Sequence, residues 1–197
     1  MDAATMPELT VADHMPWVKM TLDYTEEIAA LIPEDKLDWR PEDPSGQFCF
    51  SLAEIVMHCA DARVMFMRQL SGEKSEDGYW CTSEGPDDAG VWKFKEHGGK
   101  QAILDSMKHA REEIDTWQSK PVDELLSVPE GCEKAFAEQL KKMKEHEKDT
   151  AEMERRGPAS IMRVLMATAT HEAGHRGSLQ TLLRQHGINV KRDEDGH

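Results

Sequence analysis

The stretch Ala167-Thr-Ala-Thr-His171-Glu172-Ala-Gly-His175-Arg-Gly-Ser-Leu179 decides the fold. It lies inside a long helical pattern that begins after Gly157-Pro158 and ends at Gly187. His171 and His175 are one helical turn apart, so their rings stack on one side, at the spacing with which two imidazoles hold one metal ion. Counting about 100° per residue from Ile161, the side chains of Ile161, Val164, Leu165, Leu179, Leu182 and Leu183 fall within roughly 60° of one direction. His175 lies about 40° from that direction, His171 about 80° away at the edge of the face, and Glu172 within about 20°. Two imidazoles and a carboxylate therefore point where the leucines point. A buried carboxylate requires a cation or hydrogen-bond donors. The pattern fits a metal site; the alternative is a pair of hydrogen-bonded core histidines.

Working outward, residues 11 to 32 read as a first helix, with Met15, Val18, Leu22, Thr25, Ile28, Ala29 and Ile32 at helical spacing and Asp13 as its cap. Pro33 and the segment Trp39-Arg40-Pro41-Glu-Asp-Pro44-Ser-Gly46 stop it and form a long turn. Ser51-Leu-Ala-Glu54 is a capping box that opens a second helix. Leu52, Ile55, Val56, Cys59, Phe66, Met67 and Leu70 make its apolar stripe, interrupted by Arg63, and His58 sits on the shoulder of that stripe, where by itself it reads as a satisfied core histidine. Residues 100 to 118 form a third helix through Ile103, Leu104, Met107, Ala110, Ile114 and Trp117, and His109 beside it has no ligand-like neighbour.

Between the second and third helices, residues 71 to 99 combine glycines with Tyr79, Trp80, Trp92 and Phe94, which suits an ordered loop packed on the molecule or lying across a site. Residues 132 to 156 alternate charges around a sparse seam of Phe136, Leu140, Met143 and Ala151, as in a solvated extra helix. Pro158 suits the start of the last helix. Residues 1–187 thus make a single domain, and 188–197 a mobile polar tail. There is no internal repeat and no strand series.

A chain of 197 residues suits one domain with a sizeable core. Its formal net charge of -14 argues against nucleic acid and anionic membrane surfaces as partners. No apolar run has the length to cross a bilayer, and the first residues lack a secretory signal. Cys49, Cys59, Cys81 and Cys132 form no Cys-x-x-Cys pair and read as reduced thiols, so a cytoplasmic location is expected.

Four core helices, one inward His on the second and His-x-x-x-His on the last, suggest a bundle that builds its site from facing helices. Here the sequence resembles the DinB-like superfamily of metal-binding four-helix proteins. The resemblance rests on Trp39-Arg40-Pro41 followed by Ser51-Leu-Ala-Glu-Ile-Val-Met-His58, on the spacing of the helical blocks, and on Thr170-His-Glu-Ala-Gly-His-Arg-Gly-Ser-Leu179, which looks like the pattern His-x-x-x-His-Arg-Gly-Gln-Leu. It implies an all-α, up-down-up-down four-helix bundle with an extra charged helix before the last core helix. It implies His58, His171 and His175 as ligands of one divalent metal, nickel or zinc first, iron or manganese next. It also implies a small-molecule substrate, a low-molecular-weight thiol such as bacillithiol or mycothiol, and a homodimer. Ser178 departs from the family's Gln, and the 132–156 insert is longer than usual.

The function expected is a metal-dependent thiol transferase or hydrolase, with Glu172 orienting a ligand or accepting a proton. Two rivals stand beside it: a non-catalytic metal-binding, stress-linked bundle, and a zinc hydrolase reading of His171-Glu172-x-x-His175. Against the last, position 181 is Thr181 where a longer metalloprotease motif has a third His, and no strand edge is visible to pair a peptide.

Overall fold

The computed structural model describes residues 11–42, 49–72, 98–146 and 148–190, with backbone only at 11–13. Four long helices carry the fold: α1 (Val11–Leu31), α2 (Leu52–Ser71), α3 (Gly99–Gln118) and α7 (Ile161–Gln185). Between α3 and α7 lie the short α4 (Val122–Leu125), then α5 (Glu130–Glu145) and α6 (Ala151–Arg156). Among the described residues there is no strand, and no helix is long and apolar enough to cross a membrane.

The start of α2 is fixed by a set of satisfied backbone donors. Ser51 Oγ accepts from Glu54 N–H, and Glu54 Oε2 accepts from Ser51 N–H, so the capping box is closed. The next two helix N–H groups, of Leu52 and Ala53, donate to the carbonyls of Trp39 and Leu37. Arg40 then grips the Glu54 carboxylate with both Nη atoms, at 2.5 and 2.7 Å. The helix end can therefore be buried without orphaned donors, and Ser51, Leu52, Ala53 and Glu54 are all buried. His58 follows one turn later on a helix whose entry is locked. Asp13 does not cap α1; it falls within the first turn of a helix that starts at Val11. For α7 the cap is Ser160, whose side chain accepts from Arg163 N–H, so Pro158 precedes the helix rather than opening it.

Side-chain and backbone pairings give the helix directions. Lys100 reaches the Ala30 carbonyl at 2.5 Å, while Arg111 pairs with Asp23 at 2.8 Å, so α3 runs opposite to α1. One apolar cluster joins Ile28 with Leu52 and Ile55, and the other joins Val18 and Leu22 with Met67 and Leu70, so α2 also runs opposite to α1. The same clusters place Ile103 with the start of α2 and Ile114 with its end, and they align α7 with α1. The order is up-down-down-up, which corrects the expected up-down-up-down course. A helix of 20 residues is about 30 Å long, and the stretch between Ser71 and Gly99 can span that distance to start α3 at the other end.

Two further expectations change. The charged region 132–156 is two helices, α5 and α6, rather than one, and its inner side is half-buried at Phe136, Met143 and Met153. The chain also remains packed beyond Gly187: Val190 is buried in the first cluster and Ile188 packs against it. Residues 191–197, most of the expected tail, lie outside the described residues, as do Cys81 and the aromatics of the 71–99 loop. Cys59 and Cys132 are free thiols.

α5 meets α2 at two glycines. A Cβ on Gly131 would lie 2.3 Å from Gly72 N and 2.6 Å from the Gln69 carbonyl oxygen, both backbone atoms that cannot swing aside. Gly131→Ala is therefore expected to cost about 2 kcal/mol in urea unfolding. A variant as stable as the wild type would mean that α5 does not dock on α2 in this way.

Candidate metal centre

The structure brings His58 of α2 together with His171 and His175 of α7. The ring centroids are 4.5 to 5.0 Å apart pair by pair. One ligating nitrogen from each ring can be chosen so that all three lie within 4.8 Å of one another. His58 Nε2 and His171 Nε2 are 3.0 Å apart. Two nitrogens on a tetrahedral ion at zinc-like bond lengths are separated by about 3.3 Å, close to the His58–His171 distance, so that pair could share a small divalent ion with His175 near by. All three rings are half-buried, which leaves the cluster within reach of small molecules.

At 3.0 Å one of His58 and His171 can donate to the other, which satisfies a core-histidine explanation for that pair. Among the described residues no hydrogen bond holds His175, although it is drawn into contact with both other rings. Burial, then the neighbouring imidazoles His58 and His171, push His175 down to about 4. Burial, then His171, also lowers His58. Both rings are therefore neutral near pH 7, the form that ligates a metal.

Two aromatic rings flank the cluster. Phe50 stacks on His58 with centroids 6.0 Å apart, and Phe66 meets His171 edge-on at 6.1 Å. Phe66 was legible only as a core position of the α2 stripe, and Phe50 left no signal in the sequence. His109 is exposed on α3, away from the cluster.

Glu172 has the partner that its inward position demanded, and that partner is Arg63. Arg63 Nε donates to Oε1 at 2.5 Å and Nη2 to Oε2 at 3.0 Å, with both side chains 0% exposed. Burial opposes the Arg63 charge, but Glu172, and then Glu26 at 2.6 Å, outweigh it and hold its pKa above the ordinary value. With both oxygens engaged, Glu172 is not placed as a free proton acceptor; it locks α7 against α2 beside His171. The Arg63 break in the apolar stripe was the sequence signal for this pair. Cys59, nearby on α2, is pushed well up by burial and then by Glu172, so its thiol stays protonated. Arg176, in the same motif, donates to the Thr21 carbonyl at 3.2 Å and lies over the Tyr24 ring at 4.9 Å, tying α7 to α1.

Comparison with known proteins agrees with this architecture. The sequence model of the DinB family matches residues 9–194. The fold is similar to the crystal structure of a DinB-like protein from Bacillus cereus ATCC 10987, with a TM-score of 0.55 at 15% identity, over 93% of this chain and 97% of that one. No curated protein matches the sequence. The chain belongs to the DinB family.

Removing one partner of the buried pair should expose its cost. Glu172→Ala is expected to lose about 3–5 kcal/mol in urea unfolding, and Arg63→Met with Glu172→Met to recover most of that loss. A single variant within about 1 kcal/mol of the wild type would contradict the pairing.

Proposed function

With membership of the DinB family as premise, we propose that His58, His171 and His175 hold one divalent metal ion, used to activate a thiol or a water molecule against a small electrophile. The observation that carries this is the convergence of three imidazoles from two helices, with ring centroids 4.5 to 5.0 Å apart and one nitrogen from each within 4.8 Å of the others. A shared ion is the partner that satisfies all three rings at once. Held by neutral ligands with a fourth position open, a divalent ion would lower the pKa of a bound water or convert a bound thiol to thiolate.

The chain's own residues would orient and shield. Glu172, clamped by Arg63, fixes the turn of α7 that carries His171, while Ser51 and Glu54 fix the start of α2 one turn before His58. Phe50 and Phe66 flank the imidazoles and would limit water around a bound nucleophile. The proposed thiol is of low molecular weight, and nickel or zinc is the proposed ion, since imidazole suits both. A homodimer rests on family resemblance alone. A His-Glu-x-x-His hydrolase is disfavoured because Glu172, which would be its base, has both oxygens on Arg63.

The test uses the protein loaded with cobalt(II), titrated with 2-mercaptoethanol and cysteine. A near-ultraviolet thiolate-to-metal band is expected in the wild type and not in His58→Ala. Cobalt bound at one ion per chain with no such band for either thiol would reject thiol activation and leave a metal-binding bundle.

A further inference from the structure

A cavity of about 540 Å³ lies between α2, α5, α6 and α7, beside the histidine cluster but not part of it. That volume suits a small organic molecule. Its apolar lining includes Phe66, Phe136, Met143 and Met153. Two aromatic faces and two flexible thioethers adapt to a flat or aliphatic body. Phe66 belongs to both places: it lines the cavity, and its ring meets His171 edge-on. The charged helices α5 and α6 are thus more than a solvated face. They supply one wall of a cleft that shares Phe66 with the histidine cluster.

The polar lining leaves one cation uncommitted. Glu152 is held by Arg155 at 2.7 Å through each oxygen and by Arg156 at 2.7 Å. Asp149 Oδ1 accepts the Ala151 N–H at 2.9 Å, and its side chain faces solvent. Arg163 meets only the Arg156 carbonyl, at 3.3 Å, and has no carboxylate partner among the described residues. Its remaining donors form the planar fork that matches a carboxylate.

We propose that this cavity binds a small amphiphilic anion, its apolar body against Phe66, Phe136, Met143 and Met153 and its carboxylate on Arg163. An occupant in contact with Phe66 would lie one aromatic ring away from His171. That it is the molecule acted upon rests on the proposed metal site; that it binds does not.

The probe is 2-naphthoate, titrated calorimetrically into the full chain beside neutral 2-naphthamide and cationic 2-naphthylmethylamine. One naphthoate per chain is expected, about tenfold tighter than the amide, with the amine weakest. Arg163→Gln should remove the advantage of naphthoate over the amide, and Phe136→Ala should weaken both about tenfold. Both side chains are at least partly exposed, so the variants should keep the wild-type circular dichroism. Arg184→Gln, an exposed cation at the far end of α7, should change nothing. His171→Ala should retain naphthoate binding, which separates this cavity from the metal site. No naphthoate binding, binding unchanged in Arg163→Gln, equal binding of the amine, or loss in His171→Ala would each overturn the assignment.

Discussion

The structure depends on a line of charge through the middle of the fold. Glu172 of α7 pairs with Arg63 of α2, Arg63 with Glu26 of α1, and Glu26 with Arg111 of α3 at 3.4 Å. Each of the four long helices contributes one residue. The line divides the two apolar clusters, one built around Ile28, Leu52, Ile103 and Leu183, the other around Leu22, Met67, Ile114 and Leu165. Apolar side chains alone tolerate a helix sliding by a turn, because one leucine replaces another at modest cost. A slide of α7 by one turn would leave Glu172 and Arg63 buried and apart, at several kcal/mol. The pair therefore sets which residues of α2 and α7 face each other. With that register fixed, His58 meets His171 and His175.

Much of this was legible in the chain. The helical period of Ile161 to Leu183 gave α7 and the face of its histidines, and Ser51 with Glu54 gave the start of α2 to the residue. Those are local signals, and local physics decides them. The course of the bundle is not local. The long connection between α2 and α3 was read for its aromatics, although its length carried the topology: antiparallel neighbours are joined by about 2–8 residues, and this segment is several times longer. Taken as a crossover, it places α2 and α3 in parallel. The start of the polar tail, at 188–190, was misplaced for a similar reason. Val190 lies between Asn189 and Lys191, and only the tertiary core shows that it is covered.

The site divides along the same line. His171 and His175 could be paired from their spacing on an apolar face, whereas His58 joined them only through the family resemblance. Glu172 could be seen to need a partner, and Arg63 was visible as a flaw in an apolar stripe, but joining them across 109 residues of sequence required the fold. With Arg63 donating to both of its oxygens, the Glu172 carboxylate ties α7 to α2. The insert shows the opposite case. Its alternating charges describe the outer surface of α5 and α6 faithfully, while the sparse seam of Phe136 and Met143 lines the cavity.

The central claim is that three imidazoles from two helices share one ion. Metal content per chain, measured by elemental analysis on the wild type and on His171→Ala with His175→Ala, tests it most directly. The account predicts one divalent ion per chain in the wild type and none in the double variant, with the helical circular dichroism of both unchanged. A wild type that stays empty after incubation with nickel, zinc and manganese, or a double variant that retains its ion, would contradict it.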